Sequence, residues 1–183
     1  MNSLVQFWPN FYDKNQIKEI NDYINKNYDD FESSDKPADN KKTSVKIIKY
    51  GKMKHLLSNM LSQAYHGANV KFGYTTFGPF DNEGINLNTY NAEHGDKYDW
   101  HIDSSIPKSP YDIKLTILIN LSLNPFEGGQ FQLFDNGKTT QINQLAEPGN
   151  IIMFKSYLHH RVLPVTSGER ITLAIWILGP KFT

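Results

Sequence analysis

Apolar residues recur at helical spacing in two segments of the first third of the chain. After Asp13, the residues Ile17, Ile20 and Ile24 fall on one helical face. Asp13 and Gln16 stand three residues apart and form a capping box, which predicts where this helix begins. A second helix is predicted from apolar side chains at the same spacing, namely Met53, Leu56, Leu57, Met60, Leu61 and Ala64.

The pattern changes after Lys71, where short runs rich in β-branched and aromatic residues alternate with Gly, Pro, Asn and Asp. Short strands at such spacing predict an antiparallel sandwich or barrel. Two runs, KLTILINLSL (114–123) and RITLAIWIL (170–178), are apolar on both faces, as central strands are when both faces are covered. The predicted helices are the expected cover on one side. The other runs are KFGYTTF, INLNTY, GQFQLF, TTQI, NIIMF and RVLPV.

These elements predict a single domain over residues 1–183. Within it, residues 1–70 are expected to form a helical N-terminal support, and residues 71–183 the β core. The polar, turn-rich stretch Asp29–Ser44 is interpreted as a loop of the support, since it is too short for a domain linker. A compact chain of this length buries about 70% of its unfolded surface, so it can build a core without covalent staples.

The composition of the chain argues against some classes of binding partner but says little about its activity. Lys plus Arg and Asp plus Glu are both 19, so the chain lacks the basic surplus typical of proteins that bind nucleic acid or an anionic membrane. With no cysteine, any metal must be held by His, Asp or Glu. The first residues show no basic region followed by an apolar run, and no apolar run approaches the length of a membrane span. We therefore expect a cytoplasmic protein.

His101 and Asp103 are two residues apart in a chain with six histidines. On an extended strand, residues i and i+2 point to the same side, so this imidazole and carboxylate face one volume and Ile102 faces away. The pair is either half of a metal site or two polar residues at the start of a loop. A third ligand would decide between these readings.

The downstream candidates for that ligand are His159 and His160. Neighbouring strand residues point to opposite faces, so at most one of the two joins the pair. His160 shares its parity with Val162 and Pro164, which favours His160 as the inward residue. Two histidines and one carboxylate on one face of a metal form the facial triad typical of non-haem iron(II) oxygenases.

Only two of the nineteen basic residues are arginines, Arg161 and Arg170. Arginine presents a rigid planar fork that binds a carboxylate through two parallel hydrogen bonds. Arg170 shares its parity with Thr172, Ala174 and Trp176, in a strand otherwise suited to burial. It is either a strand-end residue with its head in solvent or, with Thr172 alongside, a buried receptor for an anionic ligand.

Four segments, in this order, resemble the iron(II)- and 2-oxoglutarate-dependent oxygenases, and among them the prolyl 4-hydroxylase-like group: His101-x-Asp103, FEGGQFQLF, PGNIIMF and HRVLPVTSGER. The resemblance covers residues 85–178. It implies a mainly β fold with N-terminal helices, a double-stranded β-helix of the jelly-roll, cupin-like kind. Two departures are Gln130, where many relatives carry Glu after the paired glycines, and the doubled histidine.

The resemblance also implies roles for individual residues. His101, Asp103 and His160 are expected to hold iron(II), and Arg170 to bind the distal carboxylate of 2-oxoglutarate. The other residues expected at the co-substrate are Tyr90 or Tyr98, Thr172, and Asn120, which stands where relatives often carry Tyr or Gln.

The implied activity is 4-hydroxylation of prolyl residues in a peptide or protein, with Fe(2+), 2-oxoglutarate and O2 required and ascorbate as a stimulant. The loops at Gly78–Gly84 and Ser104–Asp112 are expected to shape the substrate entrance. Three alternatives stay open: a hydroxylase of a free amino acid or small metabolite, a nucleic-acid demethylase, and a cupin-like metal-binding module or isomerase without oxygen chemistry. The demethylase usually carries a second arginine and a basic face, and the cupin-like module has no need of Arg170. The oligomeric state stays open.

Overall fold

The computed structural model describes residues 4–34, 40–103 and 109–182. Within these ranges the chain forms the helices α1 (Lys14–Lys26) and α2 (Tyr50–Val70) and the strands β1 (Val5–Trp8), β2 (Glu32–Ser33), β3 (Lys41–Lys42), β4 (Ser44–Lys49), β5 (Gly84–Asn91), β6 (Lys97–His101), β7 (Tyr111–Asn120), β8 (Glu127–Gly128), β9 (Phe131–Asp135), β10 (Lys138–Gln141), β11 (Ile151–Lys155), β12 (His159–Val162), β13 (Val165–Ser167) and β14 (Glu169–Pro180).

Both predicted helices are present, and α1 begins at the predicted capping box. The Asp13 side chain accepts a hydrogen bond of 2.9 Å from the Gln16 N–H, and the Gln16 side chain accepts one of 3.0 Å from the Asp13 N–H. Neither of the described α-helices combines the length and the apolar character needed to cross a membrane. The faces that the two helices bury are made of Ile17, Ile20 and Ile24 in α1 and, in α2, Tyr50, Met53, Leu57, Met60, Leu61, Ala64, Gly67 and Ala68.

The strands form two antiparallel sheets and one short two-stranded ribbon. The larger sheet has seven strands in the order β1-β11-β7-β14-β5-β4-β2, and the smaller has five in the order β10-β9-β12-β6-β3. The ribbon pairs β13 with β8. This arrangement is a double-stranded β-helix, mainly β with few helices, as the family resemblance implied.

Two apolar cores lie on opposite faces of the larger sheet. In β7, Leu115 and Ile117 pack with the helices, whereas Leu118 belongs to the core between the two sheets. In β14, Ile175 packs with the helices and Ala174 belongs to the core between the two sheets. Full burial of a side chain such as Leu or Ile contributes about 1.5–3 kcal/mol, so a central strand covered on both faces is strongly held. The site described below lies on the face turned away from the helices.

Residues 1–70 are more than the predicted helical support, because β1–β4 lie there and extend both sheets. β1 pairs with β11 and β4 with β5 in the larger sheet, and β3 pairs with β6 in the smaller. β2 and β3 also lie inside the stretch predicted as a loop, of which residues 35–39 fall outside the described residues. Each of these two strands is only two residues long and polar, too short to show an alternating pattern.

One predicted strand is wrong. In residues 71–77, only Phe77 makes a β contact, an isolated bridge to Leu178. α2 runs to Val70 and the chain then turns through Gly73, whose φ of 69° is in the left-handed region open to glycine. The apolar residues of this stretch close the end of a helix and do not form a ladder.

Candidate metal and anion site

A cavity of about 200 Å³ opens between the two sheets. Alternation along two neighbouring strands, β14 and β5, supplies one wall, because every second side chain points toward the smaller sheet. That wall consists of Arg170, Thr172, Ala174 and Trp176 from β14 and Asn86, Asn88 and Tyr90 from β5.

Three potential metal ligands converge at this cavity: His101, Asp103 and His160. One ligand atom from each lies within 4.8 Å of the other two. The Nε2 atom of His160 is 3.5 Å from Asp103 Oδ2, and the Nε2 atom of His101 is 3.9 Å from Oδ1. Neighbouring ligands about 2.1 Å from one ion lie about 3 Å apart, so the three atoms would have to move closer together to bind one metal ion.

Both imidazoles are oriented by the backbone. His101 Nδ1 lies 2.8 Å from the Asp99 carbonyl oxygen, and His160 Nδ1 lies 2.9 Å from that of Leu158. A protonated Nδ1 that donates to a carbonyl leaves the Nε2 lone pair free for a metal. Burial and the neighbouring His160 lower the pKa of His101 to about 4, so this imidazole is neutral near pH 7, as a ligand must be.

The Asp103 carboxylate is held through one of its two oxygens. Oδ2 accepts hydrogen bonds from Thr116 Oγ1 at 2.9 Å and from Trp176 Nε1 at 3.1 Å. Burial alone would raise the pKa of Asp103, but the adjacent His160 and His101 imidazoles and the Trp176 N–H lower it to about 2. The group is therefore ionised, and Oδ1 is left facing His101.

The predicted parity of the doubled histidine is confirmed. His160 is buried and lines the cavity, whereas His159 is exposed. Ile102 is 46% exposed and faces away from the pair, as expected. Asp103, however, lies beyond the end of β6, so its position depends on a backbone bond from its N–H to the Ser156 carbonyl and on the two donors to its side chain. The ligand roles stay predictions.

Arg170 is the buried cation of the cavity, 2% exposed. Burial lowers the pKa of its guanidinium, and Tyr90, whose ring centre lies 5.4 Å from the guanidinium carbon, acts in the opposite direction. Among the described residues, no carboxylate forms an ion pair with it. Gly129, with a φ of 63°, permits close packing here, since a Cβ on it would lie 2.9 Å from Arg170 Cδ. Arg170 also borders a larger open cavity of about 650 Å³.

Tyr90, Tyr98 and Thr172, the residues expected at the co-substrate, all line the cavity, and their contact with the co-substrate stays a prediction. Tyr90 is buried, which raises the pKa of its hydroxyl. Tyr98 stacks on His101 with ring centres 3.5 Å apart, and burial with the charge of Asp103 raises its pKa to about 12. Tyr90 is thus close to the arginine, and Tyr98 to the metal ligands.

Asn120 does not line the cavity, which corrects the prediction that it reaches the co-substrate. Its amide nitrogen donates to the Leu145 and Ala146 carbonyls at 3.0 and 2.8 Å, and its Oδ1 accepts from the Ser122 N–H at 2.9 Å. The residue is fully buried, and its amide is committed to the backbone. Its place near the end of β7 turns it toward the segment that precedes β11.

The loop predictions have different outcomes. In the first loop, Ser104–Asp112, residues 104–108 lie outside the described residues. In the second, Gly78–Gly84, no residue lines the 200 Å³ cavity. Pro79, Glu83 and Gly84 instead border a separate small cavity beside Tyr65.

Sequence reasoning missed several residues that line the cavity or position its side chains. Trp176 was recognisable, because it shares the parity of Arg170 on an extended strand. Thr116 requires the register of β7 against β14, which no local pattern reveals. Lys41 carried no signal at all, since it lies in a polar stretch and reaches the cavity by pairing with Tyr98.

The fold and the donor set together define a class: metal-dependent enzymes built on a double-stranded β-helix, with two imidazoles, one carboxylate and a buried arginine at one cavity. The set fits iron(II), which binds well to imidazole and carboxylate. The sequence model of the 2OG-Fe(II) oxygenase superfamily matches residues 85–178, and the chain belongs to this family.

Comparison with individual proteins agrees with this assignment. A PKHD-type hydroxylase of Synechococcus sp. (strain CC9902) is 34% identical over 89 residues, which are 47% of this chain and 38% of the relative. The chain thus spans well under half the length of that curated relative. A Pseudomonas putida prolyl-4-hydroxylase has a similar fold, with a TM-score of 0.72, 17% identity, and coverage of 98% of this chain and 94% of that one. A Trichoplax adhaerens prolyl hydroxylase in complex with a hypoxia inducible factor peptide fragment has a TM-score of 0.74 and 20% identity. The match covers 95% of this chain and 83% of that one.

Proposed function

We propose that this chain is a 2-oxoglutarate-dependent dioxygenase that hydroxylates C4 of a prolyl residue in a peptide or protein. One observation carries the proposal. A His–Asp–His trio and a buried arginine, which has no acidic partner within the described residues, share a single cavity. A metal site alone would not need the arginine, whereas a dicarboxylate co-substrate would.

In this proposal His101, Asp103 and His160 hold iron(II), which when bound supplies the activation of O2 needed to attack an unreactive C–H bond. The chain supplies orientation and exclusion of water. Arg170 binds the distal carboxylate of 2-oxoglutarate through its planar fork, with Thr172 beside it. Tyr98 on His101 and Phe154 against His160, with ring centres 3.5 and 4.8 Å apart, hold the imidazoles in place.

The choice of a prolyl residue as the substrate is supported by similar proteins that are prolyl hydroxylases. The two solved structures named above are a prolyl-4-hydroxylase and a prolyl hydroxylase with a peptide fragment. Proline-containing peptides favour an extended conformation, so little ordering cost opposes their binding in a groove. Ascorbate, as a reductant of the metal, is expected to stimulate turnover.

The test is a panel of proline-containing peptides and free amino acids incubated with iron(II), 2-oxoglutarate and ascorbate. Mass spectrometry should find one added oxygen on a peptidyl proline, with succinate formed alongside. The control is Asp103→Ala, which should form neither product. Oxidation confined to free amino acids would overturn the peptide assignment and favour the small-substrate alternative. An absence of succinate with every substrate would argue against the dioxygenase itself.

A further inference from the structure

Lys41 belongs to a two-residue strand distant in sequence from every motif described above, yet its side chain lines the metal cavity. β3 pairs with β6 so that Lys41 lies opposite Tyr98, and the Lys41 ammonium lies 4.7 Å from the centre of the Tyr98 ring. Tyr98 also stacks on His101, so the Tyr98 ring contacts both the ammonium and a predicted metal ligand.

Within the parts of the chain that the structure describes, the Lys41 ammonium forms no ion pair and no hydrogen bond. Burial lowers the pKa of Lys41, and the charge of Asp103 acts in the opposite direction. Asp103 is itself a predicted metal ligand, so a bound metal would take up its charge. The lysine would then face the cavity without a counter-ion.

The charges of the loaded site do not balance without another anion. Lys41 and Arg170 bring two positive charges to the cavity lining and Asp103 brings one negative charge. The charges of iron(II) and 2-oxoglutarate cancel each other. One positive charge is left, and an unpaired charge is costly in a partly buried cavity. A substrate with one negative charge would neutralise it.

The position of Lys41 indicates that its positive charge faces the substrate and not the co-substrate. β3 is the edge strand of the smaller sheet, and Lys41 is partly exposed. Arg170, in contrast, is 2% exposed on a strand inside the larger sheet. The arginine therefore suits a co-substrate held deep in the cavity, and the lysine suits a molecule that enters last.

We infer that Lys41 is a specificity-determining residue that binds a carboxylate of the substrate, carried by the hydroxylated residue or by its immediate neighbour. This inference rests on the proposed function. The carboxylate has two possible sources, the α-carboxylate of a free or C-terminal amino acid and the side chain of an adjacent Asp or Glu. Both present the same chemistry to the ammonium.

The experiment compares matched acid and amide substrates in the iron(II)- and 2-oxoglutarate-loaded enzyme. One pair is free L-proline and L-prolinamide, and another is a blocked proline peptide with Asp or Asn next to the proline. Other free amino acids and their amides complete the panel. We expect the acid of one pair to be favoured in kcat/KM by about tenfold or more, the effect of one hydrogen bond to a charged group. Calorimetry with the same pair should show the same preference in binding.

Variants separate charge recognition from packing. Lys41→Gln should bring the acid and amide of the favoured pair to nearly equal kcat/KM, mostly through the KM for the acid. Lys41→Arg retains the charge and should keep much of the preference. Lys42→Gln is the matched control, because Lys42 is exposed on the same strand and donates to the His94 carbonyl. It should behave like the wild type.

Three results would overturn the inference: equal use of acids and amides by the wild type, an undiminished preference in Lys41→Gln, or no turnover of any pair. Failure of the proposed function gives a different pattern. Acid-selective oxidation of an amino acid other than proline removes the prolyl assignment and leaves the role of Lys41 standing. Oxidation of proline without a preference for the acid supports the prolyl assignment and removes the role of Lys41.

Discussion

Trp176 donates its indole N–H to Asp103 Oδ2 over 3.1 Å, which joins residues 73 positions apart in the chain. Thr116 donates to the same oxygen. Both donors come from central strands of the larger sheet, whereas Asp103 follows a strand of the smaller one. The hydrogen bonds therefore tie the carboxylate of the trio to the most buried part of the fold and leave its other oxygen free for a metal.

Trp176→Phe retains most of the ring but loses the donor. Because partners that orient a ligand typically contribute 10–100-fold to metal affinity, we expect the Mn(II) dissociation constant to rise by about that factor. Titration of the metal-free protein measures it. Trp100→Phe is the control, since Trp100 packs with Phe134 and Arg161 and does not line the cavity. Equal affinity in wild type and Trp176→Phe would show that this bond does not position Asp103.

The neighbouring histidines should respond in opposite ways. A metal at about 100 times its dissociation constant stabilises the folded state by about 2.7 kcal/mol. We expect Mn(II) to stabilise His159→Ala as it does the wild type, and to have little effect on His160→Ala. Denaturant unfolding with and without Mn(II) tests this. Stabilisation of His160→Ala alone would mean that the exposed His159 is the ligand.

Arg170→Lys keeps the charge and loses the planar fork. A hydrogen bond to a charged group is worth about 1.5–3 kcal/mol, so losing one should raise the KM for 2-oxoglutarate by roughly ten- to a hundred-fold. Succinate formation at varied 2-oxoglutarate measures the change. Arg161→Lys is the matched control, because Arg161 bonds Gln132 at 2.8 Å and does not line the cavity. A KM unchanged by Arg170→Lys contradicts the assignment of the co-substrate carboxylate.

Asn120→Ala should affect stability and leave the co-substrate KM close to that of the wild type. The change removes three hydrogen bonds to backbone groups, those of Leu145 and Ser122 being buried, and each unsatisfied buried group costs about 1–3 kcal/mol. We expect unfolding free energy to fall by about 2 kcal/mol or more. A KM for 2-oxoglutarate that rises as much as in Arg170→Lys would restore the original prediction for Asn120.

Local pattern was enough for the helices, most of the strands and the inward-facing side chains of each strand. The capping box at Asp13 follows from a three-residue spacing, and the inward position of His160 follows from the period of 2 along a strand. The same period placed Arg170 on one face with Thr172 and Trp176, but it left open whether the guanidinium is buried or in solvent. The choice between metal site and loop for His101 and Asp103 needed a resemblance to a family, since two residues alone carry little information.

What only the tertiary structure decided is the pairing between segments that are distant in the chain. Lys41 reaches the cavity through its register with Tyr98, and Thr116 and Trp176 meet Asp103 because β7 and β14 are neighbours in one sheet. Asn120 pairs with the cavity-lining Thr172, but its amide is hydrogen-bonded to the backbone of Leu145 and Ala146. A period along one strand states which side a residue faces. Which other side chains and backbone groups lie on that side depends on how all the strands pack together, and no single segment contains that information.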